Sequence, residues 1–152
     1  TTRSAGTWTP LGPMETYGNG ALSNSLVNIY IIAIAPSDPN ILFAGTETGA
    51  VFKSVDKGLN WKCVSDDLTT YTAGDIAVDP TDPNIVYWGT GATGVFFKTV
   101  DGGDTWSLLE SFPSTTSNRI IINPISGRII TANTNIKILC NPSNFLSEML
   151  IE

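Results

Sequence analysis

Ser54-Val55-Asp56-Lys57-Gly58-Leu59-Asn60-Trp61 decides how this chain is read, because the pattern returns as Thr99-Val100-Asp101-Gly102-Gly103-Asp104-Thr105-Trp106. The shared form is Ser/Thr-x-Asp-x-Gly-x-x-Trp, from Ser54 to Trp61 and from Thr99 to Trp106. In a tight β-hairpin the carboxylate of Asp56 or Asp101 accepts hydrogen bonds from turn N–H groups and locks the loop. Gly58 and Gly103 supply the φ > 0 position such a turn requires. Trp61 and Trp106 start the returning strand and offer a large apolar face for packing. Each copy follows an apolar strand ending in Lys, Val51-Phe52-Lys53 and Val95-Phe96-Phe97-Lys98. Two copies in register with matching flanks mark a repeat protein.

Working outward, Ile31-Ile32-Ala33-Ile34-Ala35 is a short apolar run that predicts a strand buried on both faces. Pro36-Ser37-Asp38-Pro39-Asn40 predicts a turn by its Asp-Pro chemistry. A second strand over 41–45, a turn at Thr46-Glu47-Thr48-Gly49, a third strand over 50–54 and a fourth at about 61–64 complete one antiparallel unit. The stretch from Ile76 to Thr90 repeats that from Ile32 to Thr46 at an offset of 44 positions, Asp82 matching Asp38 and Asn84 matching Asn40. A third copy opens 44 positions further on at Ile120-Ile121-Ile122-Asn123-Pro124. Its second strand is expected over 128–132 and its third over 135–139. No Asp-containing hairpin follows, and residues 141–152 read as a tail with a short capped helix. Upstream, Thr7-Trp8-Thr9-Pro10-Leu11-Gly12-Pro13 predicts a leader strand, and residues 14–28 a polar loop. The expected organisation is a leader at 1–28, units at 29–74 and 75–118, a partial unit at 119–140 and the tail. Four short strands per 44-residue period predict an all-β chain of β-propeller blades, two complete and a third partial.

Composition narrows the chemistry. The chain has 152 residues, a formal charge of −6 and no histidine. Without histidine there is no Ser-His-Asp or Cys-His catalysis and no histidine-ligated zinc. Lys and Arg are scattered, so no nucleic-acid or anionic-membrane footprint is expected. No apolar run reaches the roughly 20 residues of a membrane helix. Cys63 and Cys140 lack metal-ligand spacing and are read as buried free thiols. No metal and no cofactor are expected. The numbering begins at Thr1 rather than Met, the sign of a processed form or a piece of a longer chain.

The stretches "IAIAPSDPNILFAGTETGAVFKSVDKGLNW" and "IAVDPTDPNIVYWGTGATGVFFKTVDGGDTW" resemble the Asp-box (BNR-repeat) propellers, closest to the sortilin-like repeats of secreted, Bacteroidetes-type bacterial proteins. "GTWTPLGP" resembles the opening of the first blade in such proteins. The resemblance implies a secreted or cell-surface protein and an incomplete propeller whose remaining blades lie elsewhere. It also makes Ser54, Asp56, Gly58, Trp61, Thr99, Asp101, Gly103 and Trp106 structural.

In an up-and-down blade the Asp-Pro-Asn turns and the Asp hairpins share one face. The second-to-third turns and the inter-blade loops share the other, and that is where function is expected. Candidate binding residues there are Thr46, Thr48, Thr93, Asn133 and Arg119, with the loop aromatics Tyr17 and Tyr71. Tyr87 and Trp88, inside a strand, are assigned to the core. Glu47 is the carboxylate of these turns. Ala44 to Gly49 resembles the Thr-Asp-x-Gly-Gly turn that carries one catalytic Asp in family 74 glycoside hydrolases, the xyloglucan-cleaving twin propellers. Glu replaces Asp, the second Gly is missing, and the partner carboxylate in that family comes from a second propeller. Inverting hydrolysis needs two carboxyl groups about 6.5–9.5 Å apart. Any partner to Glu47 would be sought among Asp66, Asp67, Asp75 and Glu110. The expectation is therefore a non-catalytic extracellular binding or adhesion module for glycan or protein. The alternatives are a piece of a family-74-like hydrolase and a blade array that self-associates through its open ends.

Overall fold

The computed structural model describes residues 16–18, 21–23, 28–47, 49–68, 72–91, 94–111, 119–125, 129–132 and 136–139. Its first sheet is a hairpin of β1 (Thr16–Gly18) and β2 (Ala21–Ser23), where a polar loop was expected. The sequence between these strands, Asn19-Gly20, is the dipeptide most suited to a two-residue hairpin connection, so the signal for it was present.

Three meander sheets follow, each with its strands in chain order. Blade 1 is β3 (Ile29–Ile34), β4 (Leu42–Thr46), β5 (Val51–Ser54) and β6 (Lys62–Cys63). Blade 2 is β7 (Ala73–Val78), β8 (Val86–Thr90), β9 (Val95–Thr99) and β10 (Ser107–Ser111). Blade 3 contributes β11 (Arg119–Ile122), β12 (Ile129–Ala132) and β13 (Ile136–Leu139). All neighbouring strands are antiparallel. The chain is thus all-β, as the repeat predicts. The fourth strand of blade 1 is shorter than expected, and Trp61 precedes it.

Local chemistry sets the turns. Asp38 Oδ1 accepts the Asn40 N–H at 3.0 Å, and Asp82 Oδ1 accepts that of Asn84 at 2.9 Å. In the third copy Asn123 takes the same kind of part, accepting from Ile125 N–H at 2.9 Å. These Asx turns hold the chain in the reversal before the next strand. In both complete blades the third-strand Lys lies over the ring of its cross-strand partner, Lys53 Nζ 5.7 Å from the Phe43 centroid and Lys98 Nζ 5.4 Å from that of Tyr87.

The blades stack face to face. Phe43 and Val51 of blade 1 join Ile76, Val78, Val86, Trp88 and Phe97 of blade 2 in one cluster, and burial of each such side chain contributes about 1.5–3 kcal/mol. Trp88 stacks on Phe97 with centroids 5.1 Å apart and meets Trp106 edge-on at 5.7 Å. Gly45 lets the blades approach, since a Cβ there would lie 2.5 Å from Ala73 Cβ of blade 2. A second cluster, Tyr87, Phe96, Ile120 and Ile129, joins blades 2 and 3. Tyr87 and Trp88 are core residues, as expected.

The 31–35 run is not buried on both faces. Ile31 and Ala33 pack toward blade 2, whereas Ile32 and Ile34 are 53% and 58% exposed. A run with no polar alternation does not disclose which of its residues are covered. Cys63 is a half-buried free thiol, its pKa pushed up chiefly by burial. The leader strand over 7–13, Tyr71, Thr48, Thr93, Asn133, Cys140 and the tail over 141–152 lie outside the described residues.

Candidate functional site

Each blade has two ends, and hydrogen bonds identify them. At one end the Asp hairpin is tied to the first-to-second turn, by Lys57 N–H to Asn40 O at 3.0 Å in blade 1 and Gly102 N–H to Asn84 O at 2.9 Å in blade 2. At the other end the second-to-third turn is tied to the incoming inter-blade segment, by Glu47 N–H to Asn28 O at 3.0 Å and Gly91 N–H to Thr72 O at 2.7 Å. The two-faced layout expected from the sequence is present.

The Asp-hairpin end is a closed brace. Thr99 Oγ1 donates to Asp101 Oδ1 at 2.6 Å while accepting the N–H groups of Asp101 and Gly103 at 3.2 and 2.9 Å. Asp101 then accepts the Thr105 N–H at 2.9 Å and the Thr105 hydroxyl at 2.6 Å. Blade 1 repeats this with Ser54, Asp56, Gly58 and Asn60. Hydrogen bonds from Thr105 and Thr99 hold the Asp101 carboxyl well below its ordinary pKa, and those from Asn60 and Ser54 lower that of Asp56. Such donors favour the ionised form. Gly58 and Gly103 sit at φ 86° and 99°. The sequence also missed a positive φ at Lys57, 63°, where blade 2 has Gly102. The tryptophans diverge: Trp61 Nε1 donates to Gly58 O of its own hairpin at 2.9 Å, but Trp106 Nε1 donates to Val64 O of blade 1 at 2.6 Å. The oxygens of Asp56 and Asp101 are thus engaged within the hairpins.

At the opposite end, Thr46 is buried and its hydroxyl closes its own turn, donating to Ala50 O at 3.0 Å and accepting Ala50 N–H at 3.1 Å. Thr90 closes the blade 2 turn in the same way onto Val95. Thr46 therefore belongs to the turn's framework rather than to its surface. Arg119 is exposed at the start of β11, opposite Ala132. Tyr17 lies in β1, not in a loop.

Glu47 is exposed and held. Asn28 Nδ2 donates to Glu47 Oε2 at 2.7 Å. The Tyr30 phenol is hydrogen-bonded to the same carboxylate, which pushes the phenol pKa above its ordinary 10.0. Tyr30 reaches it because β3 bulges there: Ile29 pairs with Thr46 and Ile31 with Gly45, so Tyr30 faces no partner residue. A bulge re-aims the side chain of its extra residue. Blade 2 has the same bulge at Gly74, and its counterpart to Glu47 is Gly91. A Cβ on Gly74 would lie 2.9 Å from Gly91 Cα, so blade 2 has no room at Gly74 for a counterpart of the Tyr30 side chain. Asn28 and Tyr30 were missed in the sequence. The signal was available in the 44-residue offset, which sets Tyr30 against Gly74 and Glu47 against Gly91.

Among the carboxylates considered as partners of Glu47, Asp75 is buried, its Oδ1 accepting Ile76 N–H at 3.0 Å and its Oδ2 accepting Ile120 N–H of blade 3 at 2.8 Å. Asp66 is exposed in a 3-10 turn, Asp66–Leu68. The side chains of Asp67 and Glu110 lie outside the described part. Among the described residues no group of three or more His, Cys, Asp or Glu is placed to hold a metal ion, and no helix is long and apolar enough to cross a membrane.

No family model matches the chain, and no curated protein matches it. Solved structures do. An ancestral GH74 enzyme aligns at 16% identity with a TM-score of 0.60, over 72% of this chain and 17% of the enzyme. The GH74 enzyme of Niastella koreensis aligns at 27% identity with a TM-score of 0.56, over 72% of this chain and 19% of its own. YCF48 bound to D1 peptide aligns at 17% identity with a TM-score of 0.57, over 74% of this chain and 35% of its own. The chain therefore shares the β-propeller fold of these proteins and spans about a sixth to a third of their length.

Proposed function

We propose that the chain is part of an Asp-box propeller that acts outside the cell as a non-catalytic binding module, recognising a glycan or a protein through the second-to-third turn face of blade 1. The observation that carries this reading is the Asn28–Tyr30–Glu47 cluster. Blade 2 makes the equivalent turn and bulge with Thr72, Gly74 and Gly91, so the scaffold does not require the blade 1 side chains. An exposed phenol ring beside an oriented carboxylate and amide is a set suited to hydroxyl-rich or peptide ligands. The YCF48 structure with its D1 peptide supports the protein arm of this reading, and the likeness to GH74 enzymes supports the glycan arm.

A second reading, part of a family-74-like glycoside hydrolase, draws on that same likeness and on the resemblance of the Glu47 turn. The two separate in one experiment. Binding to a soluble β-glucan and to an array of glycans and peptides is measured for the wild-type chain, Tyr30→Ala and Glu47→Gln. The module reading expects Tyr30→Ala to weaken binding by roughly tenfold, the scale of one aromatic anchor. It expects Glu47→Gln to change binding by less than about fivefold, as for an exposed polar contact, with no reducing sugar released. Unchanged binding in Tyr30→Ala refutes the site. Sugar release by the wild-type chain that Glu47→Gln abolishes makes the protein an enzyme.

A further inference from the structure

A cleft of about 310 Å³ lies on the seam between blades 1 and 2 at the Asp-hairpin end, lined by Lys53, Val55, Trp61, Lys62 and Val64 of blade 1 and by Asp104 of blade 2. Lys53 and Lys62 pair directly across β5 and β6, and residues so opposed share one face of the sheet. Like charges in that relation destabilise a strand pair. The fold does not ask for them, because in blade 2 the partner of Lys98 is Ser107. Asp104 is likewise particular to its copy, since the blade 1 hairpin has Leu59 at the same place. One ammonium group is already held: Lys53 Nζ lies over the Phe43 ring and against the blade 2 hairpin, where a Cβ on Gly102 would collide with it. Lys62 is exposed beside it. Asp56 and Asn60 also border the cleft but bond each other within their hairpin, which leaves Asp104, among the described residues, as the lining carboxylate able to accept from a ligand. A second cleft of about 190 Å³ adjoins the first, sharing Val64 and Asp104 and adding Asp66, Thr105 and Trp106.

From this we infer that the seam binds an acidic glycan, with a uronic acid unit in the larger cleft, at a site separate from the Asn28–Tyr30–Glu47 cluster at the opposite end. The sugar carboxylate sits against Lys53 and Lys62 and relieves their repulsion. Its hydroxyls donate to Asp104, and the apolar face of its ring covers Trp61 and the two valines. The larger cleft lies at the small end of ligand sites, which suits one sugar unit. Its continuation past Trp106 gives the next unit a second aromatic surface, and Asp66 there keeps the acidic unit in the first cleft. A bare inorganic anion would use the lysines and leave both tryptophans idle.

The test is calorimetric titration of the 152-residue chain with a galacturonic acid trimer, its methyl ester and acetate. The trimer should bind with a Kd of about 1 mM or tighter, and the ester, which keeps the shape and loses the charge, at least about threefold more weakly. Lys62→Ser and Asp104→Leu each import the residue that the other blade uses, so the fold tolerates both. Each should weaken trimer binding by roughly threefold to tenfold. Lys62→Ser should melt no lower than the wild type, because the repulsive pair is gone. Absence of trimer binding up to about 10 mM overturns the proposal, as does an ester that binds as well as the acid. So does binding unchanged in both variants, or a Lys62→Ser variant that melts clearly below the wild type, which would make Lys62 a structural residue. Acetate that displaces the trimer at equal concentration would reduce the cleft to a general anion site and overturn the sugar assignment. Trimer binding lost in Tyr30→Ala would assign the ligand to the turn face of blade 1 and overturn the seam site, so the two sites stand or fall separately.

Discussion

Replacing Thr99 with Val removes one oxygen and almost no volume. Thr99 is 1% exposed, and its hydroxyl bonds Asp101 Oδ1, Asp101 N and Gly103 N at 2.6, 3.2 and 2.9 Å. Valine leaves the Gly103 N–H buried without its acceptor, and orphaning such a donor costs about 1–3 kcal/mol. No side chain can move in to replace the oxygen, because Gly103 is pressed against blade 1, where a Cβ on it would lie 2.9 Å from Val64 Cγ2. With the weaker Asp101 N–H bond included, the total is about 2–3 kcal/mol. At about 2–4 °C per kcal/mol for a chain of this size, the melting temperature should fall by about 4–12 °C. Calorimetry or circular dichroism melts of wild type, Thr99→Val and Thr99→Ser measure this, and Ser, which blade 1 uses at the same place, should recover most of the loss. A Val variant that melts within about 1 °C of wild type, well under the smallest shift worked out here, would show that the hydroxyl is not the brace.

Acid should loosen the hairpins. The carboxyls of Asp101 and Asp56 sit below their ordinary 3.8 in the fold, so the unfolded chain takes up protons first as pH falls. Their contribution is complete above pH 3.8 and is lost as pH drops through the folded values; a chemical-denaturation midpoint that does not fall between neutral pH and pH 3 counts against it. Lys57 stands at φ 63° where blade 2 has glycine, and Lys57→Gly should relieve left-handed strain and stabilise the chain by about 0.5–1 kcal/mol, read from the same midpoint.

The repeat and its two ends were legible because periodic turn chemistry is local. Asp38, Asp82, Ser54 and Thr99 act on groups within four residues of themselves, so spacing alone reveals them. Side chains that act across blades were not legible. Trp61 and Trp106 occupy equivalent positions in one pattern, yet one bonds its own hairpin and the other a carbonyl of the preceding blade. Asp75 reads as an ordinary strand residue until β11 brings Ile120 to it. Thr46 reads as a surface turn residue until its hydroxyl is seen to close the turn. The Asn28–Tyr30–Glu47 cluster lies between these cases: it depends on a bulge that no local motif announces, but aligning the copies exposes what blade 1 has and blade 2 lacks.

Thr46 and Thr90 clasp turns of different length. Thr46 Oγ1 accepts the N–H of the residue four positions on, at 3.1 Å, and Thr90 Oγ1 accepts that of the residue five positions on, at 3.0 Å. The added residue is absorbed within the turn, since downstream of it β9 pairs with β8 and the Asp hairpin closes as in blade 1. One hydroxyl therefore insulates the strand register from the length of the connection above it. For protein engineering this makes the two connections exchangeable cassettes: foreign peptide can be grafted between Thr46 and Ala50, or between Thr90 and Val95, while the Asp hairpins at the far end keep the blades in register.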